Sequence, residues 1–151
     1  MEHGTMIDME NPKIAFAMRM VKNNPFMQWN HIRVTEMDED HCIGYVDLQP
    51  EQKNPNGLAH GGLLFTVSDV FASAVARADG RNYSTLDADV HFLRNVKEGR
   101  IYGEASVIRR GRTSVLIETI LRSEAGKELV RATVTMFCIG PGVAPAQKAG
   151  N

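Results

Sequence analysis

Cysteine is scarce in this chain, and so is net charge. The two cysteines, Cys42 and Cys138, stand far apart in apolar, strand-like surroundings, with no CxxC pair and no ligand spacing. That argues against a disulfide framework and a cysteine metal site, and for buried thiols in a reducing compartment. Lys and Arg number 17 and Asp and Glu 18, a formal charge of -1 with a pI near 6.5. So even a balance gives no global attraction to nucleic acid or to an anionic membrane surface. No apolar run reaches about 18 residues, so no membrane span is expected. The N-terminus carries Glu2, Asp8 and Glu10 where a signal peptide would have a basic and then an apolar region, and the expected location is the cytoplasm.

What is present is one domain's worth of chain: 151 residues with 43% hydrophobic content, enough for a sizeable core. Residues 1–10 are polar and Met-rich and are expected to be loosely ordered. The tail 141–151, rich in Ala, Pro, Gln and Lys, is expected to be flexible, which leaves 11–140 as the folded domain. Asn11 before Pro12 reads as a helix cap and first position, with apolar spacing through Ile14, Phe16, Ala17, Met20 and Val21 up to Lys22. Phe26, Met27 and Trp29 read as a core plug closing one end of the sheet, with direct substrate contact as the other reading. Runs 32–36 and 42–48 alternate as a hairpin about an acidic, solvated turn. Four further strand-like runs follow at 84–92, 100–109, 114–123 and 129–139, separated by turn residues. One long helix set against a mostly antiparallel sheet of about six strands, with a short N-terminal helix, is an α+β architecture.

The chain is organised around Asn54-Pro55-Asn56-Gly57-Leu58-Ala59-His60-Gly61-Gly62 and the helical pattern that follows it to about Ala78. At roughly 100° per residue, Leu63, Leu64, Val67, Val70, Phe71, Ala74, Val75 and Ala78 share a core face. The opposite face holds Gly62, Phe65, Asp69, Ala72, Ser73 and Ala76, where a surface helix would carry several charges. A helix covered on both faces predicts the chain's own sheet on one side and a second copy on the other, with Asp69 in the seam. The first helical amides lack internal partners and carry the positive end of the dipole, and Gly61 and Gly62 leave them open to a substrate oxygen. Asp69 lies roughly 12 Å further along the axis at about 1.5 Å per residue. If the two groups cooperate, they do so across a dimer.

Asn54, the Gly57-x-x-His60-Gly61-Gly62 signature and Asp69 nine residues after the histidine resemble the hotdog-fold acyl-CoA thioesterases of the PaaI-like (phenylacetic acid pathway) branch. The likeness runs from about Pro25 to Ile139, and its specific part is 54–69. It implies a hotdog fold and hydrolysis of an acyl- or aryl-CoA thioester at a subunit interface of a homodimer or dimer of dimers. Neither a metal nor a separate cofactor is called for, coenzyme A being part of the substrate. By the same resemblance Asp69 is the nucleophile or general base, Gly61 the carbonyl-polarising amide, and Asn54 a positioning amide that on local grounds could equally shape its own turn. Thr85 stands where relatives place a Ser or Thr that holds water near the carboxylate of its own subunit.

For His60 the reading is an orienting hydrogen bond to a loop carbonyl, with contact to the leaving sulfur as the further option. Gly62 and Phe65 are expected beside the substrate, with Leu58, Val70 and Phe71 as further pocket walls that suit medium-chain or aromatic acyl groups. The basic turn of Arg109, Arg110, Gly111, Arg112 and Thr113 resembles the family's Gly-basic-Thr turn, which implies contact with the coenzyme A phosphates. A free exposed turn is the competing reading. Asp87, Asp89 and His91 alternate as the wet side of a strand. Two other functions share the fold. A non-catalytic acyl-CoA-binding module would keep the pocket without turnover, and an enoyl-CoA hydratase would need an acid before Asn54-Pro55 and a histidine close after it, which Lys53 and Asn56 do not supply.

Overall fold

The computed structural model describes residues 7–143. Most of the sequence expected to be flexible, 1–6 and 144–151, lies outside that range. Within it, Ile7 bridges to Met37 and is partly buried against the core.

Helix α1 (Pro12–Lys22) starts as read: the Asn11 side chain accepts the Lys13 amide and Pro12 occupies the first turn. A one-turn helix α2 (Pro25–Trp29) follows, capped by Asn24 on the Met27 amide. Its apolar cluster is split. Met27 is buried, but Phe26 and Trp29 are 56% and 81% exposed, so the plug is one residue deep.

Six strands form one sheet: β1 (Ile32–Met37), β2 (His41–Asp47), β3 (Arg81–Phe92), β4 (Arg100–Arg110), β5 (Ser114–Arg122) and β6 (Glu128–Pro141). Their order is β1-β2-β4-β5-β6-β3 and every neighbouring pair is antiparallel. β3 and β6 run further than the alternation shows. They pair past Asn82–Gly140 to Arg81–Pro141, and the amides of Gly142 and Val143 then donate to the Gly80 carbonyl.

Helix α3 (Gly61–Ala76) packs against this sheet and continues as a 3-10 turn (Arg77–Asp79). Leu63, Leu64, Val67, Phe71, Ala74 and Val75 are buried as their spacing requires, and Ala72 and Ala76 on the opposite face are buried too. By length and composition alone, Gly61–Asp79 could pass for a membrane span, which the count of apolar residues does not anticipate; its place here is the core, under the sheet. Phe71 shows how closely helix and sheet approach. Gly44 and Gly103 face each other across β2 and β4, and a Cβ on either would strike the Phe71 ring. The ring is therefore sealed in a glycine notch on the core face where the helical wheel puts it, which removes it from the expected substrate pocket wall.

The far end of α3 is closed by ion pairs. Asp79 accepts from the Tyr83 hydroxyl at 2.6 Å, the Arg81 amide at 2.9 Å, Arg81 Nε at 3.0 Å and Arg110 Nη1 at 2.8 Å. Arg110 also donates to the Ala76, Val75 and Glu39 carbonyls. It thus ties down carbonyls of the last helical turn from outside the helix.

Candidate active site

The loop that delivers α3 is pinned at several points before the helix begins. Gln52, one of few buried polar residues, donates through Nε2 to the Asn30 carbonyl and accepts the Gln49 amide, while its own carbonyl receives the His60 amide at 2.9 Å. The Asn54 side-chain oxygen accepts the amides of Asn56 and Leu58, and the Asn54 amide donates to the Leu58 carbonyl at 2.7 Å. Its oxygen is thus committed to the turn, leaving only the side-chain NH2 for a ligand. Gly57, at the tip of this turn, has a φ of 76°, which glycine adopts without penalty. Asn95, after β3, donates to the Ala59 carbonyl at 2.9 Å, and the Ala59 amide donates to the Val96 carbonyl.

His60 is the N-cap of α3 at φ -65° and ψ 135°, and its Nδ1 accepts the Gly62 amide at 2.8 Å. It bonds a helix amide rather than a loop carbonyl, because the donors at a helix start need acceptors. The arrangement requires the neutral ring to carry its proton on Nε2, on an exposed side chain. It also divides the two glycines: the Gly62 amide is occupied, and among the described residues the Gly61 amide has no acceptor. Gly61 is thus the free donor at the positive end of the dipole. A Cβ there would meet only the Phe92 ring at an ordinary 3.8 Å. Beside this point an open cleft of about 280 Å³ is lined by Phe26, Asn30, Glu51, Gln52, His60, Gly62, Leu63 and Thr66. Phe65 is 41% exposed on the next turn and does not line it.

Two turns along, Asp69 is partly exposed, and Thr85 Oγ1 donates to its Oδ1 at 2.6 Å. That leaves Oδ2 for another partner. Thr85 also rests against Met136 Sδ at 3.4 Å. The structure thus brings Asp69 and Thr85 together within one chain. It keeps Gly61, His60 and Asn54 together at the helix start, roughly 12 Å away along α3.

The basic turn resolves into two kinds of arginine. Arg110 is spent inside the fold, and the expectation that it meets coenzyme A is corrected: among the described residues its hydrogen bonds go to the helix end, Asp79 and the Glu39 carbonyl. Arg109, Arg112 and Thr113 are exposed. The carbonyls of Gly111 and Arg112 are gripped by Arg81, at 2.9 and 2.6 Å. Sequence reasoning missed Gln52, Asn95 and Arg81 as positioning residues. A glutamine amid polar neighbours and an asparagine in a turn carry no local signal when their partners lie 22 and 36 residues away.

Comparison with known proteins decides the family. The family model of the thioesterase superfamily matches residues 56–130, which contain His60, Gly61, Asp69, Thr85 and the basic turn. The chain belongs to the thioesterase superfamily. Its fold is the hotdog fold and its reaction class is thioester hydrolysis. Escherichia coli PaaI, from the phenylacetic acid degradation operon, superposes with a TM-score of 0.84 over 89% of this chain and 98% of that one, at 18% identity. A Mycobacterium tuberculosis protein named "Putative esterase" is 24% identical over 118 residues, 74% of this chain and 84% of the relative. A Streptococcus pneumoniae hypothetical thioesterase, solved with coenzyme A, is 25% identical with a TM-score of 0.70 over 73% of this thioesterase and 90% of its own chain. Two further structures of that protein carry alanine in place of an aspartate and of a threonine sixteen positions later.

Proposed function

We propose that this thioesterase hydrolyses acyl-CoA or aryl-CoA at two composite sites in a homodimer, each built from the helix start of one subunit and the Asp69–Thr85 pair of the other. The observation that carries the reading is the division of labour along α3: a free amide at Gly61 and a half-tied carboxylate at Asp69, too far apart on one helix to serve one carbonyl. The aspartate–threonine separation in the coenzyme A-binding relative equals that of Asp69 and Thr85, which supports treating them as one unit.

The chemistry follows from the geometry. The thioester oxygen accepts a hydrogen bond from the Gly61 amide, and the helix dipole stabilises the negative charge that builds there during attack. Asp69, with one oxygen fixed by Thr85, uses the other on the carbonyl carbon, either directly or by taking a proton from water. The C–S bond breaks as the tetrahedral centre collapses, and the departing thiolate of coenzyme A takes a proton, the one Asp69 removed from water in the base route or one from solvent in the direct route. If Asp69 attacks directly, water cleaves the resulting anhydride and restores the carboxylate. Exposed Arg109 and Arg112 are the residues of the turn free to meet phosphate, while the acyl group enters the cleft by Phe26, Leu63 and Thr66.

The test is thiol release from a panel of short, medium, long and aryl acyl-CoAs by wild type and Asp69→Asn. Hydrolysis lost in the variant, with fold and oligomeric state unchanged, is the expected outcome. Measurable acyl-CoA binding with no turnover of any substrate would make the protein a binding module instead.

A further inference from the structure

Asp69, Ser73 and Arg77 follow one another at four-residue steps along α3, so they form a single stripe. Arg77 sits where the helix passes into its final 3-10 turn, and its side chain is partly buried. The guanidinium is spread over three acceptors. Nη1 donates to the Ser73 carbonyl at 3.3 Å, Nε to Asn82 Oδ1 at 3.2 Å and Nη2 to the Tyr83 carbonyl at 3.0 Å. One arginine thus ties the end of the helix to the start of β3.

Those contacts fall at a particular point of the strand. β3 shifts register against β6 twice, between Asn82 and Tyr83 and again between Thr85 and Asp87. Tyr83, Ser84 and Thr85 form a short segment between the two irregularities, and Arg77 holds its leading edge. The extra residue is Ile139 of β6 at the first shift and Leu86 of β3 at the second, and such insertions increase the local twist and change where the flanking side chains aim. Here the buried Tyr83 reaches Asp79 at 2.6 Å, and Thr85, two residues on, reaches Asp69 at 2.6 Å. Burial pulls the Arg77 guanidinium below its usual range, and the Asp69 carboxylate opposes that shift.

We propose that Arg77 is a positioning residue for thioester hydrolysis: by clamping Asn82 and Tyr83, where β3 first shifts register against β6, it sets the angle at which β3 presents Thr85 to Asp69. The hydroxyl in turn fixes the carboxylate in one orientation, with its second oxygen free for attack. Arg77 does not touch substrate. The inference rests on Asp69 being the group that drives the reaction.

The experiment is a double-mutant comparison of Arg77→Gln and Thr85→Val, alone and together, reading kcat and KM separately on one acyl-CoA that wild type turns over. Each single variant is expected to lower kcat about tenfold with KM within about twofold, because the loss is in transition-state geometry. The double variant is expected to be no slower than Thr85→Val, since the clamp acts through that hydroxyl. Arg77→Lys, which cannot span three acceptors, recovers part of the rate at most. Asn82→Ala loosens the same clamp from the strand side and covers the case in which Arg77→Gln does not fold. Unchanged kcat in the Arg77→Gln and Asn82→Ala variants, or a double variant slower by the product of the two single effects, would overturn the proposal. Asp69→Asn is run alongside: turnover surviving in it would remove the underlying reading of the site as well, and so tells the two failures apart.

Discussion

At Gly61 the backbone offers one proton, and the neighbouring histidine has already taken the competing one from Gly62. This makes the polarising role testable without touching a side chain. Proline is well tolerated at the first helical position, where no intrahelical bond uses the amide, and His60 at ψ 135° already has the extended geometry that a residue before proline prefers. Gly61→Pro is therefore expected to fold and melt like wild type while losing turnover by about 10²–10³-fold, the usual effect of deleting one oxyanion donor. Gly103→Ala is expected to do the opposite. It would push a methyl into the Phe71 ring and destabilise the fold by roughly 1–3 kcal/mol in denaturant titrations, while the soluble folded fraction keeps its turnover. Legibility at this scale follows range. The placement of Gly61 and Asp69 along one helix is readable because helical spacing is local, whereas His60 accepts a helix amide instead of making the expected bond to a loop carbonyl. Thr85 comes through resemblance alone, since its partner is 16 residues away on another element. Arg110 misleads because a basic turn looks the same in sequence whether its arginines face solvent or a helix end. Arg77 leaves no trace at all, its meaning residing in a strand irregularity.

Elements set the next level. β3 is the edge strand beside β6; it is 12 residues long and exposes Leu86 at 64% and Phe92 at 54%. A long edge strand with exposed Leu86 and Phe92 can pair with another strand, and a second copy of the same edge would satisfy it. Leu86→Glu sets a new carboxylate beside Asp87 and Asp89 and is expected to shift the protein toward monomer in sedimentation, with turnover falling in step. A dimer that keeps its mass would place the interface elsewhere. At the far end of α3, burial alone would raise the Asp79 carboxyl. Hydrogen bonds from Tyr83 and from the Arg81 amide and side chain, with the Arg110 charge, outweigh it and hold the group below its ordinary 3.8. A depressed carboxyl stabilises the fold above its unfolded pKa, and that stabilisation is lost as pH falls through the folded value. The stability difference between wild type and Asp79→Asn is therefore expected to be constant near neutrality and to shrink below about pH 4. A gap that stays constant into that range would contradict the account. The helix and most strands are legible because their periods are local. The strand ends and the glycine notch are not, because they depend on which strands become neighbours.

For the whole molecule the central claim is that neither subunit holds a complete site. Mixing two inactive proteins, Asp69→Asn and Gly61→Pro, tests it most directly. In a mixed dimer one site joins the intact Gly61 of the first subunit to the intact Asp69 of the second, and the other site carries both defects. With random exchange half the dimers are mixed and each regains one of two sites, so the mixture is expected to recover about a quarter of wild-type thiol release. Each variant alone stays inactive. No recovery after exchange, once mixed dimers are demonstrated by mass, would mean that each chain carries out the reaction with its own residues and would contradict the composite site.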